Sequence, residues 1–308
     1  MIICCGEAVV DMIPAPTKAG PEGFVPHVGG ALYNSAIALA RLGQKAGLLT
    51  GMSSDMFGVL LRAGLVDSGA DTQFLIDTDR PSTLAFVHMV DGHAQYSFFD
   101  ENSAGGLIAP DDLPSIPDDV TGMLFGGISL CKGLGAETYL GLAKAQAAHR
   151  VIMLDPNIRP AFVTDRGAYI ARLDTMIRLA DIVKISDEDL HWIVPGVAPL
   201  EDKARALLTR GPAVVLLSRG GDGATGFTAQ YSVDVPAHKV TVADTVGAGD
   251  TFNAGVLSQL SNDGLLEKSA IAALPQEALH AAISRGVEAA AVTVSRAGCN
   301  PPYARELS

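Results

Sequence analysis

The sequence predicts an α/β protein: a doubly wound, mostly parallel sheet flanked by helices, with a small β-sheet lid. Three observations carry this. Short runs rich in Val, Ile and Leu alternate with Ala-rich amphipathic segments, the rhythm of βαβ units whose strands are buried on both faces. The 308 residues, 48% of them hydrophobic, can build one sizeable core. The stretch STLAFVHMVDGHAQYSFF, residues 82 to 99, interrupts the rhythm with two alternating runs around Asp91-Gly92, a hairpin signal that has no place in a βαβ series.

In chain order, IICC opens a core strand over 1 to 5, since no basic residue precedes this short run and Glu7 ends it far below the ~20 residues of a membrane span. Pro-rich, strand-like residues 8 to 26 follow, then a helix over 31 to 42 and a strand over 46 to 50. A helix over 56 to 68 precedes the hairpin. Further strands are expected at 122 to 126, 151 to 154, 182 to 185 and 213 to 217, and helices at 136 to 149, 200 to 210, 250 to 261 and 275 to 292. Residues 8 to 26 and 82 to 105 together would form the lid over one domain spanning 1 to 308. No repeat or low-complexity segment divides the chain.

Charge and cysteines narrow the function. With 22 basic against 34 acidic residues, the net charge of −12 argues against nucleic acid or an anionic membrane as partner, because both need a basic face. The four cysteines, at 4, 5, 131 and 299, form no C-x-x-C pair and no Cys/His group of zinc type. Core thiols in a cytoplasmic protein are expected. The seven scattered histidines suggest no hydrolase triad.

Phosphate chemistry is signalled by ADTVGAGDTFNAG, residues 243 to 255, where Asp250 follows a Gly-Ala-Gly stretch at the start of an apolar, helix-like run. Aspartate is a favoured helix cap, and alone that explanation suffices. Yet Gly247, Ala248 and Gly249 lack bulky side chains, so their N–H groups can converge on an oxyanion or a phosphate. An anion hole beside a carboxylate suits group transfer. GDGATG, residues 221 to 226, matches G-x-G-x-x-G but precedes a strand-like FTAQYSVDV, so it reads as a tight turn between strands rather than a dinucleotide fingerprint. No Walker-type G-x-x-x-x-G-K-[ST] occurs.

DTVGAGDTFNAG resembles the C-terminal signature of the ribokinase-like (PfkB-type) sugar kinases, and GGALYNSAIALARLG, residues 29 to 43, their N-terminal Gly-Gly signature. GEAVVDMIP (6 to 14), SSDMFG (53 to 58), DPNIR (155 to 159), VKISDEDL (183 to 190) and SRGGDG (218 to 223) extend the resemblance over nearly the whole chain, closest to the bacterial fructokinases of that family. It implies transfer of the γ-phosphoryl group of ATP to a sugar hydroxyl. Asp250 would be the base, Gly247, Ala248 and Gly249 the anion hole, and Arg159 a mobile positive charge on the phosphate, roles that fit the needs of in-line phosphoryl transfer.

The resemblance also implies sugar contacts from Asp11, Gly30 and Asn34, with Asn157 and Phe98 beside them. Carboxylates and amides suit several hydroxyls at once. Lys184, Ser186, Ser218, Gly220 and Gly223 would surround phosphates and ribose, with Asn253 on the adenine side. Where the family often has Asn-x-x-Glu organising Mg²⁺ through water, SDED at 186 to 189 offers Ser186 and the shorter Asp189. A K⁺ site would use the side chain of Asp244 and the carbonyls of Val246, Thr293, Arg296 and Gly298; Pro302 stands where some relatives supply a side-chain oxygen. A homodimer through the lid is also implied.

Residues 82 to 105 contain no Lys or Arg, which favours a neutral sugar, D-fructose above all, over the acidic substrate of a 2-keto-3-deoxygluconate kinase. A catalytically silent sugar-binding regulator is the alternative from another class, and the intact Asp250 and glycines argue against it.

Overall fold

The computed structural model describes residues 1–90 and 93–308, with the backbone alone for 88–90 and 93–96. Its strands are β1 (Ile2–Cys5), β2 (Val9–Pro16), β3 (Glu22–Gly29), β4 (Ala46–Ser53), β5 (Leu75–Thr78), β6 (Thr83–Val90), β7 (His93–Phe99), β8 (Gly122–Gly126), β9 (Val151–Asp155), β10 (Ile182–Ser186), β11 (Val214–Ser218), β12 (Ala224–Phe227) and β13 (Ser232–Val235). The helices are α1 (Ala31–Arg41), α2 (Met56–Asp67), α3 (Gly133–Gln146), α4 (Arg166–Leu179), α5 (Asp187–Ile193), α6 (Leu200–Leu208), α7 (Ala248–Asn262), α8 (Lys268–Ala272) and α9 (Gln276–Val294).

Nine strands form the main sheet in the order β13-β12-β11-β10-β9-β8-β1-β4-β5. All its pairings are parallel up to β11, and β12 and β13 close the edge antiparallel. Alternation along each strand feeds two cores. Ile2, Cys4 and Leu48 face a layer built on α1, α2, α7 and α9, whereas Ile3, Cys5 and Leu49 face α3, α4, α5 and α6. All four cysteines are free, and Cys4, Cys5 and Cys131 are buried, as expected of core thiols.

The second sheet, β3-β2-β6-β7, comes from the two stretches that broke the sequence rhythm. Strands β6 and β7 pair antiparallel, as a hairpin requires, while the Asp91-Gly92 turn itself lies outside the described residues. No described helix is long and apolar enough to cross a membrane.

Three helices escaped the sequence pattern, α4, α5 and the five-residue α8, and one begins early. In α4 the buried Tyr169, Leu173, Met176 and Ile177 follow helical spacing, but Arg166, Arg172, Asp174 and Arg178 hide it by leaving the segment polar on average. The seven-residue α5 starts where the Ser186 hydroxyl accepts the Asp189 N–H. Helix α3 begins at Gly133 rather than 136 because the Gly135 N–H donates to the Gly106 carbonyl, and a side chain there would collide with that segment.

Candidate active site

Strand order places the site. From β1 the chain moves to β4 on one side, whereas from β8 onward it builds outward on the other. The loops leaving the carboxyl ends of β1 and β8 therefore diverge and leave a crevice. A cleft of about 700 Å³ opens there. Glu7, Val9 and Asp11 line it from β1 and β2, Gly30, Ala31 and Asn34 from α1, and Phe98 from the lid. Gly127 and Ile128 follow β8, Asn157, Arg159, Pro160 and Ala161 follow β9, Lys184 comes from β10, and Thr245 to Asp250 complete the wall.

Asp250 lies in the first turn of α7 and is 7% exposed. It accepts the Asn34 amide N–H at 2.8 Å across 216 positions of sequence. Its backbone carbonyl accepts the Ser35 hydroxyl at 3.2 Å, so α1 and α7 are joined at their starts. Burial pushes the Asp250 carboxyl up to about 7; the charges of Asp155 and Glu7 add to this, and Asn34 and Lys184 oppose it. A carboxylate so poised takes up protons near neutrality.

The helix start carries the anion site. The first N–H groups of a helix have no partner within it, and they sum with the helix dipole. Gly247, the N-cap, has φ +77, and a side chain there would lie 2.1 Å from the Cys299 sulfur. A Cβ on Gly249 would lie 3.0 Å from Lys184 Nζ. The α7 N-terminus and an ammonium thus converge on one spot.

Lys184 is held by a buried polar group. Its Nζ donates to Asp155 Oδ2 at 2.9 Å, and the Asn253 amide donates to the same oxygen at 2.7 Å. Burial alone would lower the Lys184 pKa, but the carboxylates of Asp155, Asp189 and Asp250 hold it above the ordinary value. Asn253 is 1% exposed and bonded to Asp155, so its amide is committed beneath the cleft.

Asp11, Gly30, Asn34, Phe98, Asn157 and Arg159 all reach the cleft. Burial raises the Asp11 carboxyl, opposed by His27. The Phe98 ring packs 4.2 Å from that of Phe162. Asn157 sits at φ +41, a left-handed conformation that asparagine tolerates, which turns the chain toward Arg159.

Of the remaining predicted residues, Val246 belongs to that lining and the others lie outside it. Ser186 and Ser218 stand in register at the carboxyl ends of β10 and β11, with Gly220 and Gly223 in the turn beyond. Asp189 is 8% exposed, and its Oδ1 accepts the Ile158 N–H at 3.1 Å, which steadies the DPNIR loop. Burial and then Asp155 push its carboxyl up to about 6. The Asp244 carboxylate accepts the N–H groups of Val246 and Gly298, both at 3.0 Å, tying together the loops that carry the proposed cation carbonyls. Thr293, expected to lend a carbonyl, already receives the Arg296 N–H there. Arg296 turns its guanidinium to Glu306 and Asn300.

Two buried carboxylates, Glu7 in the cleft wall and Asp155 beneath it, have no role in the sequence reading. Glu7 was merely the end of an apolar run, and Asp155 merely part of DPNIR. The available signal was position: Glu7 lies two residues past the apolar strand β1 and Asp155 ends β9, which places both at the carboxyl edge where ligands bind.

Comparison with known proteins agrees with this geometry. The fructokinase of Rhizobium leguminosarum bv. trifolii is 47% identical over 280 residues, 91% of this chain and 85% of that protein. The crystal structure of a Xylella fastidiosa fructokinase with bound ATP superposes with a TM-score of 0.89 at 27% identity, covering 97% of this chain and 93% of that one. A Salmonella enterica aminoimidazole riboside kinase, complexed with its riboside and an ATP analogue, reaches 0.82 at 26% identity over 97% and 95%. The family model for pfkB family carbohydrate kinases matches residues 1–305, and the chain therefore belongs to the pfkB family of carbohydrate kinases.

Proposed function

We propose that the sugar is neutral and that the reaction is phosphorylation of D-fructose by MgATP to fructose 6-phosphate. The observation that carries this reading is Asp250, buried in the cleft at the N-terminus of α7, bonded to Asn34 and poised near neutrality. Asp250 accepts the proton of the sugar hydroxyl as its oxygen attacks the γ-phosphorus and the bond to ADP breaks. The N–H groups of Gly247, Ala248 and Gly249, with Lys184 and Arg159, stabilise the charge on the transferring group. Asp11, Gly30, Asn34 and Asn157 hold the sugar, and Phe98 covers it. Sequence identity of 47% to a fructokinase and a lid without Lys or Arg between 82 and 105 support fructose over an acidic sugar. A screen of neutral and acidic sugars measuring ADP release should show turnover with fructose. Turnover of ketodeoxygluconate alone would overturn the reading.

The donor set fits a hydrated Mg²⁺ carried by the nucleotide. Among the described residues, no group of three or more His, Cys, Asp or Glu could hold a metal directly, whereas Mg²⁺ keeps several waters beside substrate phosphates. Asp189 would receive such a water, and the buried Asp155 Oδ1 has no hydrogen-bond partner. When bound, Mg²⁺ offsets the charge of ATP. Ser186, Ser218, Gly220 and Gly223 flank the nucleotide.

A K⁺ ion fits between the loops that Asp244 joins, held by the carbonyls of Val246, Thr293, Arg296 and Gly298. Replacing K⁺ by tetramethylammonium should lower kcat severalfold, since the loop next to the anion hole loses its brace. Equal rates would remove the site. The lid face opposite Asp11 and Phe98 exposes Phe24 and Phe99, with Phe24, Phe86 and Phe99 in edge-to-face contact. A second copy is the occupant this apolar patch suits. Sedimentation should give a dimer, and Phe99→Lys a monomer; a monomeric parent would exclude it.

A further inference from the structure

Glu7 belongs to no role described so far, although it stands at the crevice between β1 and β8. It is 8% exposed, and each of its acceptors is engaged. Oε1 accepts the Ala31 N–H at 3.2 Å, and its backbone carbonyl accepts the Tyr33 N–H at 3.3 Å. Helix α1 begins at Gly30, which has no side chain to cap it, so Glu7 caps that helix from 24 positions upstream. Its Oε2 accepts the Ser129 N–H at 3.3 Å and the Ser129 hydroxyl. Gly127 lies so close, at φ +65, that a side chain there would stand 2.0 Å from Glu7 Oε1. One carboxylate therefore joins the two elements that diverge at the switch point.

We propose that Glu7 is a positioning residue that locks the start of α1 to the turn after β8, fixing the width of the sugar end of the cleft and the placement of Asn34 against Asp250. The inference rests on the kinase reading and goes beyond it, since these bonds are made entirely within the chain. The nucleotide end lies across the cleft on α7 and β10, so loss of the clamp acts on sugar binding first.

A second consequence is electrostatic. The charged and titratable groups around Asp250 are Glu7, Asp155 of β9 and Lys184 of β10, with the Cys4 and Cys299 thiols nearby; Cys131, Tyr139 and Tyr169 lie within electrostatic reach of Glu7. Glu7 is one of the negative charges that raise the Asp250 carboxyl. Removing it eases ionisation of Asp250.

The test is Glu7→Gln, which keeps the shape but sets an amide against donors. Loss of charge-assisted hydrogen bonds should raise the KM for the sugar about tenfold. The KM for ATP should stay within about twofold, and the acid limb of kcat/KM should move to lower pH. The limb cannot move this way if Glu7 only packs. Unchanged kinetics, a matched rise in both KM values or an unmoved limb would overturn the proposal. Should Glu7→Gln fail to fold, Ser129→Ala must show the same KM split to a smaller degree, and its absence is equally decisive. The split is read on whichever sugar the parent enzyme turns over, so failure with fructose alone would sink the substrate assignment and leave Glu7 to be judged separately.

Discussion

Asp250→Asn should yield a folded protein that binds sugar and ATP and is nearly inactive. Asparagine keeps the size of aspartate in this first helical turn and can still accept from Asn34, so α1 and α7 stay joined. It cannot take the hydroxyl proton, and loss of a general base costs about 10²–10⁴-fold in rate. Stability should move the other way. The folded-state pKa is raised to about 7 from an unfolded value of about 3.9, so the native state holds a proton that the unfolded chain releases between those values. The contribution of that proton is complete below pH ~4 and lost as pH rises through ~7. Asp250→Asn removes this loss, so at pH 8 its Tm should equal or exceed that of the parent. The parent's kcat/KM should fall as pH drops through about 7. Steady-state kinetics with calorimetric melting check both; kcat within a few-fold of the parent would remove Asp250 from the chemistry and leave it a structural link to Asn34.

Gly247→Ala should be the next most damaging change. The position has φ +77, where a Cβ costs about 1–2 kcal/mol, and that Cβ would press on the Cys299 sulfur at 2.1 Å. Neither strain can relax without moving the first turn of α7, which carries the anion hole. Loss of one such donor costs about 10²–10³-fold in kcat. Gly247→Ala should therefore lower both Tm and kcat, and adding Cys299→Ala should recover part of each by removing the clash while leaving the φ strain. Equal kcat in parent and single variant would show that the backbone at 247 takes no part in the transition state.

How far these residues could be read from the chain differs between them. The core strands were legible because parallel strands buried on both faces are written as continuous apolar runs: IICC became β1, GMLFG became β8 and VVLLS became β11. Helix α4 was not, because Arg172 is buried only through hydrogen bonds to Leu130 and Cys131 carbonyls and an ion pair with Glu137, which no local pattern records. Asn253 stood in a motif, but its bond to Asp155, 98 positions away, depends on which way α7 faces.

The sequence by itself determined the layered α/β architecture, the lid strands and the position of Asp250 at a helix start beside small residues, because periodicity and backbone freedom are properties of neighbours along the chain. Only the tertiary structure decided what each carboxylate does. Glu7 and Asp250 are both buried acids near strand or helix ends, yet Glu7 is saturated by Ala31 and Ser129 whereas Asp250 accepts one amide in an open cleft. That difference is set by which groups lie within about 3 Å after packing, and proton affinity depends on burial and on charges gathered from β9, β10 and the end of β1.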